Sequence, residues 1–557
     1  MRLRRDLTVP LLFLCACSHA TPSVAPAPAP AAPAASETGI TARDLEQRLA
    51  IVAADSMQGR ETGTIGNMKA TDYIAAEFRR LGLEPAGDSG GYFQTLPLAK
   101  VGLDGSSTIR VGGSTLVAWK DFAAFAIDST RSLDGVQAVY GGSLADSTTW
   151  ISPSEAAGRI VILGVPAGQR TYLPFGILTQ QPRFARAVAV AAGELNLFPP
   201  DALAAEKAGT LTIRGPTTQG PFQLVLSPEA TTALLGAPIG GRSRGALSPS
   251  LQGSVVVRAD PLPAPARNVV AVLRGSDPRV RGEFVALGAH NDHLGLAPSP
   301  ADHDSIRVFN RIVRPRGADS PQRAPTAAEA AMIRAALDTV RKRRPPRPDS
   351  VYNGADDDGS GTVALLEIAQ AAARAPLRPR RSLLFVSHTG EEEGVFGSSY
   401  FVDHPTVPRD SIVAQLNMDM IGRGDAVDLP GGGPSYLQVV GSRRLSTELG
   451  DLAERVNAEG GHGFQFNYSL DAPGDPEQVY CRSDHTEYAR YGIPVIFVTT
   501  DLHEDYHQLT DEPQYIDYAK LARVAGLEYD LARTVANLDH WVLVDHPKPD
   551  PAAPCRQ

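Results

Sequence analysis

Excess positive charge is missing from this chain. Its 557 residues carry a formal net charge of -9 and a pI near 5.8, which excludes a surface built to neutralise nucleic-acid phosphates. The one basic run, Arg341-Lys342-Arg343-Arg344, reads as the solvated end of a helix. A long hydrophobic run is also missing. The apolar stretch Leu7–Ala16 falls short of the roughly 20 residues a bilayer demands, so it cannot cross one. Cysteine is scarce, with four in all. Cys15 and Cys17 lie near the start. Cys481 and Cys555 are able to pair in an oxidising compartment, but nothing in the sequence requires it. The Pro-rich stretch 547–554 argues for a mobile, unpaired Cys555.

What is there begins with an export segment. Arg2, Arg4 and Arg5 precede the short apolar stretch, which closes on Leu14-Cys15-Ala16-Cys17. That ending resembles a bacterial lipoprotein box, so 1–17 is expected to be a signal with Cys17 lipidated. A plain secretory signal cleaved near Ala20 is the alternative. Either way the expected location is outside the cytoplasm: cell envelope, with a lipid anchor to the membrane, or secreted. Residues 18–40 are an Ala/Pro-rich linker.

Hydrophobic content of 43% and charged content of 21% suit a globular chain. Length suggests roughly three to four domains, or fewer around one large α/β unit. Helical spacing over Lys69–Leu81 places Ala70, Tyr73, Ile74, Phe78 and Leu81 on one face. The Gly-rich loop 59–64 before it says little alone. Between 128 and 262 short β-like runs appear: Val136–Tyr140, Arg159–Val165, Thr210–Ile213, Gln223–Leu226 and Ser254–Ala259. An Ala-rich stretch, Ala185–Gly193, reads as a helix. This is a separate, inserted β-rich domain with no cluster of His, Cys or acidic residues. The expected organisation is a first part of the main domain at 41–127, the insertion at 128–262, the rest of the main domain at 263–545 and a tail at 546–557.

After Pro261-Leu262-Pro263 strands and helices alternate. Strands are expected at Asn268–Leu273, Phe284–Gly288, Ser382–Ser387, Ile412–Met418 and Pro494–Thr499, and helices at Thr362–Arg374 and Tyr518–Leu538. Near-continuous apolar strands imply an α/β fold with a mostly parallel central sheet flanked by helices. Sites on such sheets lie at the carboxyl ends of the strands. A charged, Pro-rich insertion at 301–349, with a helix at Thr326–Arg343, interrupts the alternation. A lid, an oligomer contact and plain surface decoration all remain open for it.

Chemistry concentrates at those strand ends. His290 ends a strand, and Asp292 is placed to take its second ring N–H. Asp356-Asp357-Asp358-Gly-Ser-Gly packs three adjacent carboxylates, in a spacing that is not an EF-hand. Read alone, it is a solvated acidic turn; read functionally, one aspartate bridges two cations. Of the neighbours Glu391 and Glu392, one can bind metal while the other takes a proton from metal-bound water. Asp419 sits in the apolar run Leu416–Ile421, where a buried carboxylate needs a partner. His503 and His507 compete within one loop, and spacing does not choose between them. Together these groups would repel without bound cations. Mixed His and carboxylate donors favour zinc, manganese or cobalt over magnesium or calcium.

These motifs resemble one family. Gly-Ala-His-Asn-Asp-His at 288–293, Asn-Gly-Ala-Asp-Asp-Asp-Gly-Ser-Gly at 353–361, Thr-Gly-Glu-Glu-Glu-Gly at 389–394, Asn-Met-Asp-Met-Ile-Gly at 417–422, Arg-Ser-Asp-His at 482–485 and Tyr-His-Gln at 506–508 are similar to the co-catalytic dizinc aminopeptidases, relatives of glutamate carboxypeptidase and the transferrin receptor. The resemblance implies two zinc ions, with other divalent transition metals able to substitute. His290 and Asp419 would bind one ion, Glu392 and His507 the other, and Asp357 would bridge them. Glu391 would be the general base, Asp292 would orient His290, and Tyr506 would stabilise the oxyanion. The Asp357–Asp358 peptide would be cis. The β-rich insertion resembles a protease-associated domain, although that family's Cys and Gly landmarks are missing, and the insertion at 301–349 departs from the common pattern. Peptides are the expected substrates, released one N-terminal residue at a time. Carboxypeptidase, glutaminyl cyclase and metal-free binding roles are the alternatives on this fold, and oligomeric state is not legible.

Overall fold

A computed structural model describes residues 39–165, 178–215 and 220–557. The expected signal with Cys17, and nearly all of the linker 18–40, lie outside the described residues.

The molecule is organised on a nine-stranded sheet. Seven of its strands are β1 (Arg267–Leu273), β2 (Phe284–His290), β3 (Ser382–His388), β4 (Ile412–Met418), β5 (Tyr436–Val440), β6 (Gln465–Asn467) and β7 (Val495–Thr499). The spatial order is β1-β3-β2-β4-β7-β5-β6, with Glu84–Pro85 and Phe93–Thr95 paired to β1. The central four, β3, β2, β4 and β7, are mutually parallel. β1 and β5 run antiparallel to their neighbours in that set. The mostly parallel expectation therefore holds at the centre, and the edges are mixed.

Every residue of β1, β2, β3, β4 and β7 is buried, because helices cover both faces. Alternate side chains go to opposite sides. Val285, Leu287 and Ala289 of β2 pack with α1 (Ala42–Val52), α2 (Ile65–Arg80), α3 (Gly361–Arg374), α4 (Thr447–Glu459) and α5 (Tyr518–Asn537). Phe284 and Ala286 face Phe401, Val402 and Tyr488 of two shorter helices. Helix starts follow local chemistry: Thr41 and Thr64 accept the N–H groups of Asp44 and Asn67, and Asp517 caps α5. Arg48, buried in α1, ties that helix to Glu77 of α2 and Glu367 of α3.

The β-rich body starts earlier than the sequence suggests. Strands Leu98–Leu103, Thr108–Val111 and Phe122–Phe125 pair with Val257–Pro261, Gln252–Val255 and Phe222–Leu226. The chain leaves and re-enters the body built on the nine-stranded sheet where the Leu96 N–H donates to Ala266 O at 3.0 Å. Residues 97–127 thus pair with the insertion rather than forming part of a peptidase segment 41–127. No composition break marks this join, because both sides are short strands. Ala185–Gly193 is not a helix: Ala189–Glu194 is a parallel strand between Arg159–Gly164 and Phe222–Leu226. Its alanines are small because it lies in the buried centre of that sheet.

The insertion at 301–349 is closed at its neck by antiparallel pairing of Leu296–Asp302 with Pro348–Val351. It carries helices His303–Val313, which sequence reading missed, and Ala327–Arg341, which starts on a Thr326/Glu329 capping box. The basic run at its end is not simply solvated. Arg341 and Arg344 both donate to Asp304. Cys481 and Cys555 are joined by a disulfide, which corrects the expectation of a free thiol. The Pro-rich stretch instead carries Cys555 back to its partner.

Candidate metal centre

Three strand ends and two loops converge on one cleft. β2 ends on His290, whose Nε2 lies 3.1 Å from Asp357 Oδ1 and 3.6 Å from Asp419 Oδ1. The second oxygen of Asp357 lies 3.0 Å from His507 Nε2, and that nitrogen is 2.9 Å from Glu392 Oε2. One carboxylate therefore faces two imidazoles with its two oxygens. The geometry brings His507, and not His503, to these carboxylates. His503 is buried behind them, its Nε2 on Asp356 Oδ2 at 3.1 Å.

The loops are fixed by buried hydrogen bonds. Asp358 accepts the N–H groups of His290, Gly361 and Met420 at 3.0, 2.8 and 3.3 Å. It thereby ties the end of β2 to the start of α3 and the end of β4. Gly361 has to be glycine, because a Cβ there would stand 2.4 Å from Met418 O. The Asp357–Asp358 peptide is cis. Ser483 Oγ donates to Asp419 Oδ2 at 2.7 Å. Arg60, fully buried, donates to the carbonyls of Asn291, Asn353 and Gly354 at 3.1, 2.6 and 2.9 Å, and so joins the His290 and Asp357 loops.

Asp292 is placed differently from the expectation. Its carboxylate stands 3.8 Å from His290 Nδ1, whereas its own main-chain carbonyl lies 3.1 Å from that nitrogen. The carboxylate instead accepts from Thr62 Oγ1 and the N–H groups of Glu391 and Glu392 at 3.0, 3.2 and 3.4 Å. It shapes the glutamate turn, while the backbone orients the imidazole.

The cleft calls for positive charge. Burial opposes charge on Asp357, yet the His290, His507 and His293 imidazoles beside it hold its carboxyl well below the usual range. Burial and Asp357 raise Glu392, but His507 and His293 outweigh them and hold it at about 2. Burial lowers the His507 imidazole, yet Glu392 and Asp357 push it up to about 11. Glu391 goes the other way. Burial pushes its carboxyl well above the ordinary value; His290 opposes this, and the charges of Asp419 and Glu392 add to it. Buried His290 Nε2, His293 Nε2 and Asp357 Oδ2 make no directed hydrogen bond among the described residues. Two sets of donor atoms converge closely enough for an ion, His290/Asp357/Asp419 and His293/Asp357/Glu392, with Asp357 common to both. This donor set fits paired divalent cations.

Several groups had escaped sequence reasoning. His293, quoted there without a role, has its Nδ1 2.5 Å from Glu392 Oε1. Asp511 accepts the N–H groups of Asp356 and Asp357. Arg60 gave no signal, since a lone arginine in a Gly-rich loop reads as exposed.

The sequence profile of Peptidase family M28 matches residues 268–532. A probable zinc metalloprotease of Leptosphaeria maculans is 26% identical over 230 residues, covering 37% of this chain and 49% of that protein. A probable leucine aminopeptidase of Arthroderma benhamiae is 27% identical over 197 residues, covering 33% and 50%. The chain thus spans about half the length of these curated relatives. Among solved structures, an aminopeptidase from Aneurinibacillus sp. strain AM-1 aligns over 92% of this chain and 97% of its own, at 16% identity and a TM-score of 0.46. The motif series, from Gly288 to Gln508, falls within this matched segment.

Proposed function

We propose that the protein is an exported, zinc-dependent aminopeptidase. The observation that carries this reading is Asp357, whose two oxygens face His290 and His507 beside a partly buried Glu391. His290 and Asp419 would hold one zinc, Glu392 and His507 the other, and Asp357 both. When bound, the ions would make water in the cleft more acidic and polarise the scissile carbonyl.

The remaining work falls to the chain. Glu391, with Oε2 4.0 Å from His290 Nε2, takes the proton from the attacking water and returns it to the leaving amine. The Tyr506 hydroxyl, held by Arg482 Nη2 at 2.9 Å, donates to the oxyanion. A cavity of about 70 Å³ beside these groups is lined by Met420, Leu470, Val479, Phe497 and Leu502, which suits a compact apolar side chain on the residue released. The curated leucine aminopeptidase relative supports the same reading.

Export rests on Arg2, Arg4, Arg5 and the Leu7–Ala16 stretch, with Cys17 as the lipid site. The Cys481–Cys555 disulfide adds support, since such bonds persist in oxidising compartments. Among the described residues no helix is long and apolar enough to cross a membrane.

The test is turnover of free-amine against N-blocked peptides, with and without a chelator. Release of the N-terminal residue from the free-amine peptide alone, abolished by chelation and restored by zinc, is the expected result. Chelator-insensitive cleavage, or ring closure of an N-terminal glutamine in place of release, would end this assignment.

A further inference from the structure

We propose that the insertion at 301–349 is a brace for the loop that carries Tyr506 and His507, and that Asp319 is a positioning residue acting on the Tyr506 hydroxyl through Arg482. The inference rests on the roles given above to Tyr506 and His507.

The grip runs along the first helix of the insertion, where Arg311 Nε also donates to Glu504 Oε1 at 3.1 Å, and the turn after it. Arg307 Nη1, on the first helix of the insertion, donates to Asp505 Oδ2 at 2.5 Å. Asn310 Nδ2, one turn on, donates to the Glu504 carbonyl at 3.0 Å. The chain then turns at Gly317, and the Ala318 N–H donates to the Tyr506 carbonyl at 3.0 Å. Gly317 has φ +52°, and a Cβ there would meet Tyr506 O at 2.3 Å. Only glycine lets the two backbones approach so closely. Next, Asp319 Oδ2 accepts from Arg482 Nη1 at 2.7 Å, while Nη2 of the same guanidinium donates to Tyr506 OH at 2.9 Å. The planar fork fixes both distances at once.

The loop has reason to be held. His507 sits at φ +54°, a left-handed conformation that costs a non-glycine residue energy and persists only where surroundings impose it. The insertion supplies those surroundings from one side, and Arg423 Nη1, on Asp505 Oδ2 at 3.0 Å, from the other. A lid would touch the rim of the cleft and leave this loop free. These contacts reach the backbone of the loop itself.

Asp319→Ala should lower kcat by about tenfold to a hundredfold, with KM within about twofold of wild type. Bound metal and the thermal midpoint should be unchanged. Asp319→Glu should recover most of the loss. Arg323→Ala, which breaks the exposed Arg323–Glu329 pair of the same insertion and a local contact to Ala324 O, should behave as wild type. A kcat within about twofold of wild type, or a loss confined to KM, would overturn the role of Asp319. A second readout needs no turnover. In an Arg307→Ala/Asn310→Ala double variant, the amides of Tyr506, His507 and Gln508 should exchange hydrogen faster while those of β2 and β4 keep wild-type rates. Unchanged protection of the loop would overturn the brace. If the wild-type protein hydrolyses no peptide, the aminopeptidase reading fails by itself, and the exchange rates still decide this one.

Discussion

Asp511 accepts the backbone N–H of Asp357 at 3.0 Å, and the same carboxylate accepts the N–H of Asp356. The residue proposed to bridge two ions is therefore held from behind by a carboxylate four positions past His507. Asp511→Ala would leave two buried donors unpaired, each costing about 1–3 kcal/mol. The expected outcome is a lower thermal midpoint and metal affinity weaker by about 10–100-fold, read by chelator competition. Wild-type affinity would show that Asp357 needs no such support.

Glu391 is proposed to move the proton and hold no ion. Glu391→Gln should keep both metal equivalents and lose about 10²–10⁴-fold in kcat. Metal analysis and steady-state kinetics on one preparation separate the two effects. Zinc lost with the activity would make Glu391 a ligand.

His293 and His507 both reach Glu392, at 2.5 and 2.9 Å, but with different expected consequences. His507→Ala should bind one metal equivalent where the wild type binds two. His293→Ala should bind two, with the weaker affinity typical of a lost outer hydrogen bond. Titration with zinc against a competing chelator distinguishes them, and the reverse pattern would exchange their roles.

Glu528 lies on α5, fully buried, with both carboxyl oxygens unpaired among the described residues. Burial alone pushes its carboxyl up to about 8. Between the ordinary value near 4.5 and 8, the folded state keeps a proton that the unfolded state has released. Stability attributable to this group therefore falls as pH rises through that window, by up to about 1.4 kcal/mol per unit. Glu528→Leu should raise the thermal midpoint more at pH 8 than at pH 5. Equal gains at both would mean that Glu528 is not protonated in the fold.

The Cys481–Cys555 bond closes a loop with a sequence separation of 74. On the loop-entropy account its loss costs roughly 4 kcal/mol. Cys555→Ser should lower the midpoint for denaturation, and wild-type protein under a thiol reductant should fall to the same value. A reductant effect persisting in Cys555→Ser would trace to some other group.

The buried strands of the central sheet and the placement of the motifs at their ends were legible in the sequence. Apolar runs such as Ile412–Met418 can be buried only inside a sheet covered on both faces, and a motif such as Gly-Glu-Glu-Glu-Gly after such a run falls at a strand end. Local pattern carries that much because strand burial and turn chemistry act over a few neighbouring residues. It could not choose between His503 and His507 without the family resemblance, nor see that Asp292 offers its carbonyl to His290. It also placed the insertion boundary about thirty residues late. Arg60, Asp511 and Asp319 were invisible to it as well, and it left the Cys481–Cys555 pairing open, since each acts on groups far away along the chain. Those choices belong to tertiary structure. Which buried donor meets which acceptor depends on how separated loops are packed together, and a hydrogen bond's direction and length are settled only once the chain has closed.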